Sequence, residues 1–375
     1  MDFAKIIKTI IKYIGMGLLF LFILEIASRT DDYVKWDAPF WSNYSNDNLS
    51  VSDEYGWHNR PNATFQKWVI NSHGFRGPEI TFEKPDSIIR VFCTGASATF
   101  GLYESKDKDY PSQLRKMLNK KYPGRFEVLN AACPGMSPPR IGHYYSGWLS
   151  KFSPDIIAYN PASDFYTNPY PPSDTNITRT QPSQPPLTFR LTSKAKIAFK
   201  GFLPRSWQMT YKRWQIANIV DSQEDDWLWE TPPLDRMELY RKHIIGVIDT
   251  VRAQGSKIII GTKTNSISSE MNDFDKYNLT NWRHLHVRCT DISLLQTDIV
   301  ARKIILEIGK EYNVPIADIA PNIPKTHEYF GDHHHFTDKG AKIVAKFMFE
   351  QIVKIIENDS LLYSRAINSG EGKKQ

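Results

Sequence analysis

The chain has 375 residues, enough for one large α/β domain or two ordinary ones. Hydrophobic residues make up 41% and charged residues 23%, close to globular averages, so a sizeable core can form. The net charge is +6, but Lys and Arg are spread along the chain rather than blocked. That argues against a nucleic-acid-binding protein and leaves a weak basic excess compatible with an acidic glycan or a membrane surface.

The first 28 residues, MDFAKIIKTIIKYIGMGLLFLFILEIAS, differ from the rest. Lys5, Lys8 and Lys12 precede an unbroken apolar run from Tyr13 to Leu24. From Ile6 to Ala27 the stretch approaches the ~20 residues needed to cross a bilayer. Lysines ahead of the apolar run keep the N-terminus cytoplasmic and send the remainder across. The pair Ala27-Ser28 resembles a cleavage site, but Glu25 stands where a small residue is wanted. The expectation is an uncleaved anchor over 1–28, with an extracytoplasmic or periplasmic domain behind it.

Residues 29–85 are polar, aromatic and without period, including YGWHNRPNATF and NSHGFRGPEI. They read as a loop-rich lead-in that packs on the main domain. From 86 to 358 the pattern is α/β. Short β-branched runs alternate with helical stretches, which predicts βαβ units and a parallel sheet of about five strands. The strand candidates are IIRVFC (88–93), FEVLNA (126–131), DIIAYN (155–160), KIIIGT (257–262) and VPIADI (314–319). They are apolar on both faces, as strands covered by helices on two sides must be.

The spacing predicts helices between them. PSQLRKMLNKKY opens with Pro111 in its first turn and sets Leu114, Met117 and Leu118 on one face. The stretch from Pro232 carries Met237, Tyr240, Ile244, Val247 and Val251 at helical spacing and stops at Gly255. A third helix covers roughly 293–312, and DKGAKIVAKFMFEQIVKII forms the last. An insertion at about 165–231 is rich in Pro, Tyr and Trp and long for a loop. Residues 359–375, ending SRAINSGEGKKQ, read as a flexible tail. No internal repeat is visible. Cys93, Cys133 and Cys289 are too few and too scattered for a disulfide framework or zinc site, so buried free thiols are expected.

The chemistry begins at GDHHHFTDKG (331–340). On a turn entering a helix, Asp332 and His335 are spaced so that a carboxylate meets an imidazole, fixes its tautomer and stabilises the imidazolium. A nucleophile is then expected upstream, at the carboxyl end of a strand. IIRVFCTGASATFG supplies Ser97 in a small-residue turn after the first strand, where open α/β sheets hold their ligands. A serine in a tight turn is more often just a cap.

The order and spacing of these segments resemble the SGNH (GDSL-type) hydrolase superfamily, in a membrane-anchored form, over about 68–357. The glycine-x-serine block matches TGASATFG, with Ser97 as nucleophile. The asparagine-then-glycine block matches NAACPGMS, with Gly135 in the oxyanion hole. The Asp-x-x-His block matches DHHHFTDKG, with Asp332 and His335. The resemblance implies a three-layer, flavodoxin-like fold and a serine esterase or deacylase without metal or cofactor. Backbone N–H groups of Ser97 and Gly135 would hold the oxyanion.

Two positions depart from the family pattern. Ala96 stands where Asp usually precedes the serine. DIIAYNPASDF places Ser163 where an Asn usually completes the oxyanion hole, leaving Ser163 or Asn160 as the third donor. The implied substrate is an ester, such as an O-acetylated cell-envelope or exopolysaccharide glycan. The same serine and histidine serve acyl transfer, and Ser163 also favours a third reading, a weakly active, tethered glycan-binding scaffold. His333 and His334 read as loop residues at the site rim. Neighbouring histidines rarely point at one ion, which argues against a metal site. Trp207, Trp214, Trp227 and Trp229 are open to two readings, a platform for sugar rings or cover for the core. Asn62 and Asn176 are acceptor sites for N-glycosylation in a glycosylating host.

Overall fold

The structure, a computed structural model, describes residues 3–36, 38–41, 49–168 and 190–367. The chain opens with one long helix, α1 (Phe3–Trp36). Its apolar residues from Tyr13 to Ile23 are exposed, and by length and composition it is able to cross a membrane. It extends beyond the expected end at residue 28: Arg29 pairs with Glu25 one turn back, and Asp31 and Asp32 contact Lys194 and Arg190 far downstream in the chain.

The lead-in is less loop-like than expected. It holds two small antiparallel pairs, β1 (Ser50–Asp53) with β2 (Gly56–Asn59) and β3 (Thr64–Phe65) with β4 (Trp68–Val69). Arg76 then bridges by backbone to Asn130, beside the edge of the main sheet.

That sheet has five parallel strands: β5 (Ile89–Gly95), β6 (Phe126–Asn130), β7 (Ile156–Asn160), β8 (Lys257–Gly261) and β9 (Ile316–Ala317). Their spatial order is β6-β5-β7-β8-β9. Counted within the sheet this is 2-1-3-4-5, the flavodoxin-like arrangement that the resemblance implied. Every residue of β5 and β7 is buried, which explains their continuous apolar runs.

Helices cover both faces. On one lie α3 (Tyr110–Lys121), α10 (Asp338–Glu357) and α11 (Ser360–Ile367), sharing a core with the strands. On the other lie α4 (Pro138–Gly147), α7 (Leu234–Ala253) and α9 (Asp291–Glu311). The remaining helices are α2 (Ser97–Phe100), α5 (Arg190–Phe202), α6 (Arg205–Val220) and α8 (Asp273–Leu285). Local capping fixes several starts. Asp109 accepts from the Ser112 N–H to open α3, and Asn272 with Asp275 forms a capping box for α8.

The expected flexible tail is corrected in part. α11 buries Leu362 and Ala366, and Arg365 pairs with Asp155 at 2.7 Å. Residues 368–375 lie outside the described residues, as do 169–189 of the insertion with Asn176. All three cysteines are free and buried, as expected.

Candidate active site

The carboxyl ends of β5, β6 and β7 converge, and the turns that leave them carry the candidate residues. Gly95 ends β5 at φ +152°, and a Cβ there would lie 2.4 Å from Thr99 Oγ1 and 2.7 Å from the Asn160 carbonyl. Only glycine fits, so the chain turns sharply and Ser97 becomes the first residue of α2. That short helix is braced from outside. Asn130 Nδ2 donates to the Thr99 carbonyl at 3.0 Å, and Arg76 Nη1 to the Phe100 carbonyl at 2.6 Å. Arg76 also pairs with buried Asp109 at 3.1 Å. The lead-in thus helps to hold the serine turn, a function that its polar sequence did not reveal.

From the opposite side comes the turn before α10. Both oxygens of Asp332 are engaged: Oδ1 accepts the N–H groups of His334 and His335 at 3.0 and 2.9 Å, and Oδ2 meets His335 Nδ1 at 2.7 Å. His335 Nε2 stands 2.7 Å from Ser97 Oγ. Burial raises the Asp332 carboxyl, but the His335 hydrogen bond and charge, with the backbone donor, outweigh it and hold the group well below the usual carboxylate range. Ser97, His335 and Asp332 therefore form one continuous hydrogen-bonded chain.

Tyr103 lies against this chain, its ring 6.0 Å from that of His335. Burial pushes its hydroxyl pKa up and the Asp332 charge adds to the shift, so the phenol stays neutral. A Cβ at Gly331 would meet the Tyr103 ring at 2.3 Å, which accounts for the glycine opening GDHHHF. Nothing in the sequence pattern singled out Tyr103.

A cavity of about 380 Å³ opens beside Ser97. Ala96, Ala98, Ala162, Phe165 and Phe336 give it apolar walls, while Gly135, Asn160, Asp164, Lys263 and four histidines, His286 and His333 to His335, supply polar groups. Gly135 has φ +81°, and a Cβ there would meet only Trp57 at 3.6 Å, so backbone conformation rather than space requires glycine. Asn160 ends β7 in register with Gly95. Its Oδ1 is buried without a partner.

Ser163 does not join the lining. Its buried hydroxyl donates to Asp298 Oδ1 at 3.0 Å. Asp298 belongs to a buried ionic group in which Lys263 Nζ contacts Asp164 and lies 3.3 Å from Asp298. Asn265 Nδ2 donates to Asp298 at 3.0 Å. Burial opposes these charges, yet pairing wins and holds Lys263 above and Asp164 below their usual ranges. The cluster fixes the loop after β7 against the turn after β8.

His333 and His334 are not simple rim residues. His333 is buried and stacks on Trp282 at 5.4 Å. Burial lowers its pKa to about 4 against the pull of Asp332 and Asp164. Burial likewise lowers His334, whose ring lies 3.9 Å from that of His335. Donor atoms of Asp332, His333 and His334 lie within 4.8 Å of one another. The Asp332 oxygens are already committed to His335 and the backbone, which makes them poor ligands for an ion.

The four tryptophans divide. Trp227 and Trp229 are partly buried under Arg288, whereas Trp207 and Trp214 are 70% and 58% exposed and cover no core.

No family model and no curated protein matches the chain. Solved structures similar to it include the lipase/acylhydrolase from Enterococcus faecalis, 12% identical with a TM-score of 0.42 over 72% of this chain and 97% of that one. A member of the lipolytic protein G-D-S-L family from Veillonella parvula DSM 2008 is 11% identical, with a TM-score of 0.37 over 70% of this chain and 97% of that one. A variant of Axe2, an acetyl-xylooligosaccharide esterase from Geobacillus Stearmophilus, is 11% identical, with a TM-score of 0.41 over 70% and 94%. None of these likenesses is close enough to transfer an activity.

Proposed function

We propose that the protein is a serine esterase of the SGNH type, held to a membrane by α1. The observation that carries this reading is the Ser97–His335–Asp332 chain, with both links at 2.7 Å. Asp332 accepts the Nδ1–H of His335, which leaves Nε2 free to take the Ser97 proton. Ser97 Oγ then attacks the ester carbonyl and a tetrahedral oxyanion forms. The backbone N–H groups of Ser97 and Gly135 are the proposed donors to it. Asn160 is the third, because it lines the cavity while the Ser163 hydroxyl is committed to Asp298. Collapse expels the alcohol, which takes the proton from His335. A water then gives its proton to His335, attacks the acyl group and returns Ser97 to its starting state. A sugar hydroxyl in place of water would make the same intermediate an acyl donor.

The acyl group would sit in the cavity beside Ser97, against its alanine and phenylalanine walls. The proposed substrate is an acylated, chiefly O-acetylated, glycan of the cell envelope. α1 would span the membrane with its N-terminus cytoplasmic and the α/β domain outside, the lead-in packed upon it. An uncleaved helix is supported by Glu25, whose carboxylate accepts the N–H groups of Arg190 and Leu191 at 2.9 and 2.7 Å. Cleavage after residue 28 would strip that contact away.

The test is turnover of an aryl acetate, and of acetylated glycans, by the wild type and by Ser97→Ala. Near-wild-type turnover in a folded Ser97→Ala protein would overturn the assignment. Adding a glycan acceptor and weighing the products separates hydrolysis from transfer.

A further inference from the structure

The insertion helices α5 and α6 pose a separate problem. The first turn of α5 is fastened to α1 where that helix leaves its apolar run. Glu25 caps the α5 N-terminus, the Arg190 guanidinium contacts Asp32, and Lys194 contacts Asp31 and lies 3.1 Å from Asp32. Beyond that turn the described residues of α5 are uncovered. From Ala195 to Phe202 every residue whose side chain is described is exposed, including Ile197, Phe199 and Phe202. α6 leans one face on α8, through Gln208 to Tyr277 at 3.0 Å and Gln215 to His284 at 3.1 Å. Its outer face carries Trp207, Tyr211 and Trp214 at i, i+4 and i+7, all exposed, with the last two rings stacked at 5.9 Å. Helices in proteins draw most of their stability from packing an apolar face, so two helices with this much bare apolar surface point to a surface that covers them.

Charge and continuity identify that surface. Residues 190–220 contain seven basic residues (Arg190, Lys194, Lys196, Lys200, Arg205, Lys212 and Arg213) and no acidic one. A second copy presenting the same face would set like charge against like. A sugar platform would use the ring faces of α6 but leave the exposed Ile197, Phe199 and Phe202 of α5 without a partner. Within α5 and α6 the charged neighbours of these apolar and aromatic side chains are all Lys or Arg, and the acidic run from Asp221 to Asp226 begins only past the end of α6. That pattern matches a helix lying at a bilayer interface, where Trp and Tyr concentrate and anionic headgroups attract bases. We propose that helices α5 and α6 lie on the anionic bilayer that α1 spans, with Phe199, Phe202, Trp207 and Trp214 dipping into the headgroup boundary. This rests on the reading of α1 as a membrane span.

The test uses the full-length protein reconstituted in phosphatidylcholine–phosphatidylglycerol vesicles. Trp207→Cys and Trp214→Cys are each labelled with an environment-sensitive fluorophore; the native cysteines are buried. Phe20→Cys reports on α1 and Lys346→Cys, on α10, reports on water. Labels at 207 and 214 should be blue-shifted relative to 346 and quenched by lipids carrying a quencher in the upper acyl chain. Lys196→Glu combined with Arg205→Glu should reduce that quenching. If 20 is quenched while 207 and 214 are as wet as 346, the proposal fails and the span stands. If 20 is wet as well, the span fails and the proposal with it. Labels at 207 and 214 that are shielded but not quenched by lipid would mean a protein covers the two helices, which also overturns the proposal.

Discussion

The serine turn and the insertion helices α5 and α6 stand at opposite extremes of packing. Around Ser97, a four-residue helix is held by Arg76, Asn130 and Asp109, and its histidine partner is set by a carboxylate with both oxygens used. Around Trp207, two helices of 13 and 16 residues present bare aromatic and aliphatic surface. Precise chemistry needs side chains whose supports are themselves locked. A surface that meets a fluid phase needs no such support, only the right mix of apolar and charged groups. The difference separates a region built to position atoms from one built to meet a surrounding medium.

The largest effects should come from cutting the locked chain. His335→Ala and Ser97→Ala should each lower aryl acetate turnover by roughly 10⁴-fold or more, and the double variant should be little worse than either alone. Additive losses would mean that the two residues do not act as a unit. Next in size is the third oxyanion donor. Asn160→Ala should cost about 10²–10³ in kcat. Ser163→Ala should leave kcat close to wild type and instead lower stability by roughly 1–3 kcal/mol, because it deprives buried Asp298 of a donor. The reverse pattern, measured by kinetics and denaturant melts, would return Ser163 to the oxyanion hole.

A smaller effect concerns pH. The folded His333 has a pKa of about 4 against an ordinary 6.5, so below 6.5 the unfolded chain binds the extra proton first. The stability that depends on neutral His333 is therefore present above 6.5 and lost as pH falls toward 4. Asp332 works in a different window: its depressed pKa gives stability that is lost only in stronger acid. Melting temperatures across the higher window should fall with acid, and His333→Phe, which keeps a ring against Trp282, should flatten the decline. The smallest expected effect is none: a chelator should leave turnover unchanged, and a loss restored by added metal would reopen the Asp332–His333–His334 group as a metal site.

Much of the locked region was legible in the sequence because its signals are local. Apolar runs marked the strands, and the three-residue step from Asp332 to His335 marked a pair that a single turn brings together. What escaped depends on distance along the chain. Asp298 claims the Ser163 hydroxyl from 135 residues away, on the inner face of α9. Arg76 reads as a loop residue until its partners at Phe100 and Asp109 are known. The polar end of α1 is helical against α5, some 160 residues on. α8 is the exception, since its capping box at Asn272 and Asp275 was a local signal in an otherwise polar stretch.

The central claim is that Ser97 is an activated nucleophile. The most direct measurement is to expose the folded protein to a fluorophosphonate, digest it and map the modified peptide by mass spectrometry. A single adduct on Ser97, abolished in His335→Ala, is the predicted result. Folded protein that leaves Ser97 unmodified, or that modifies it equally without His335, would contradict the claim.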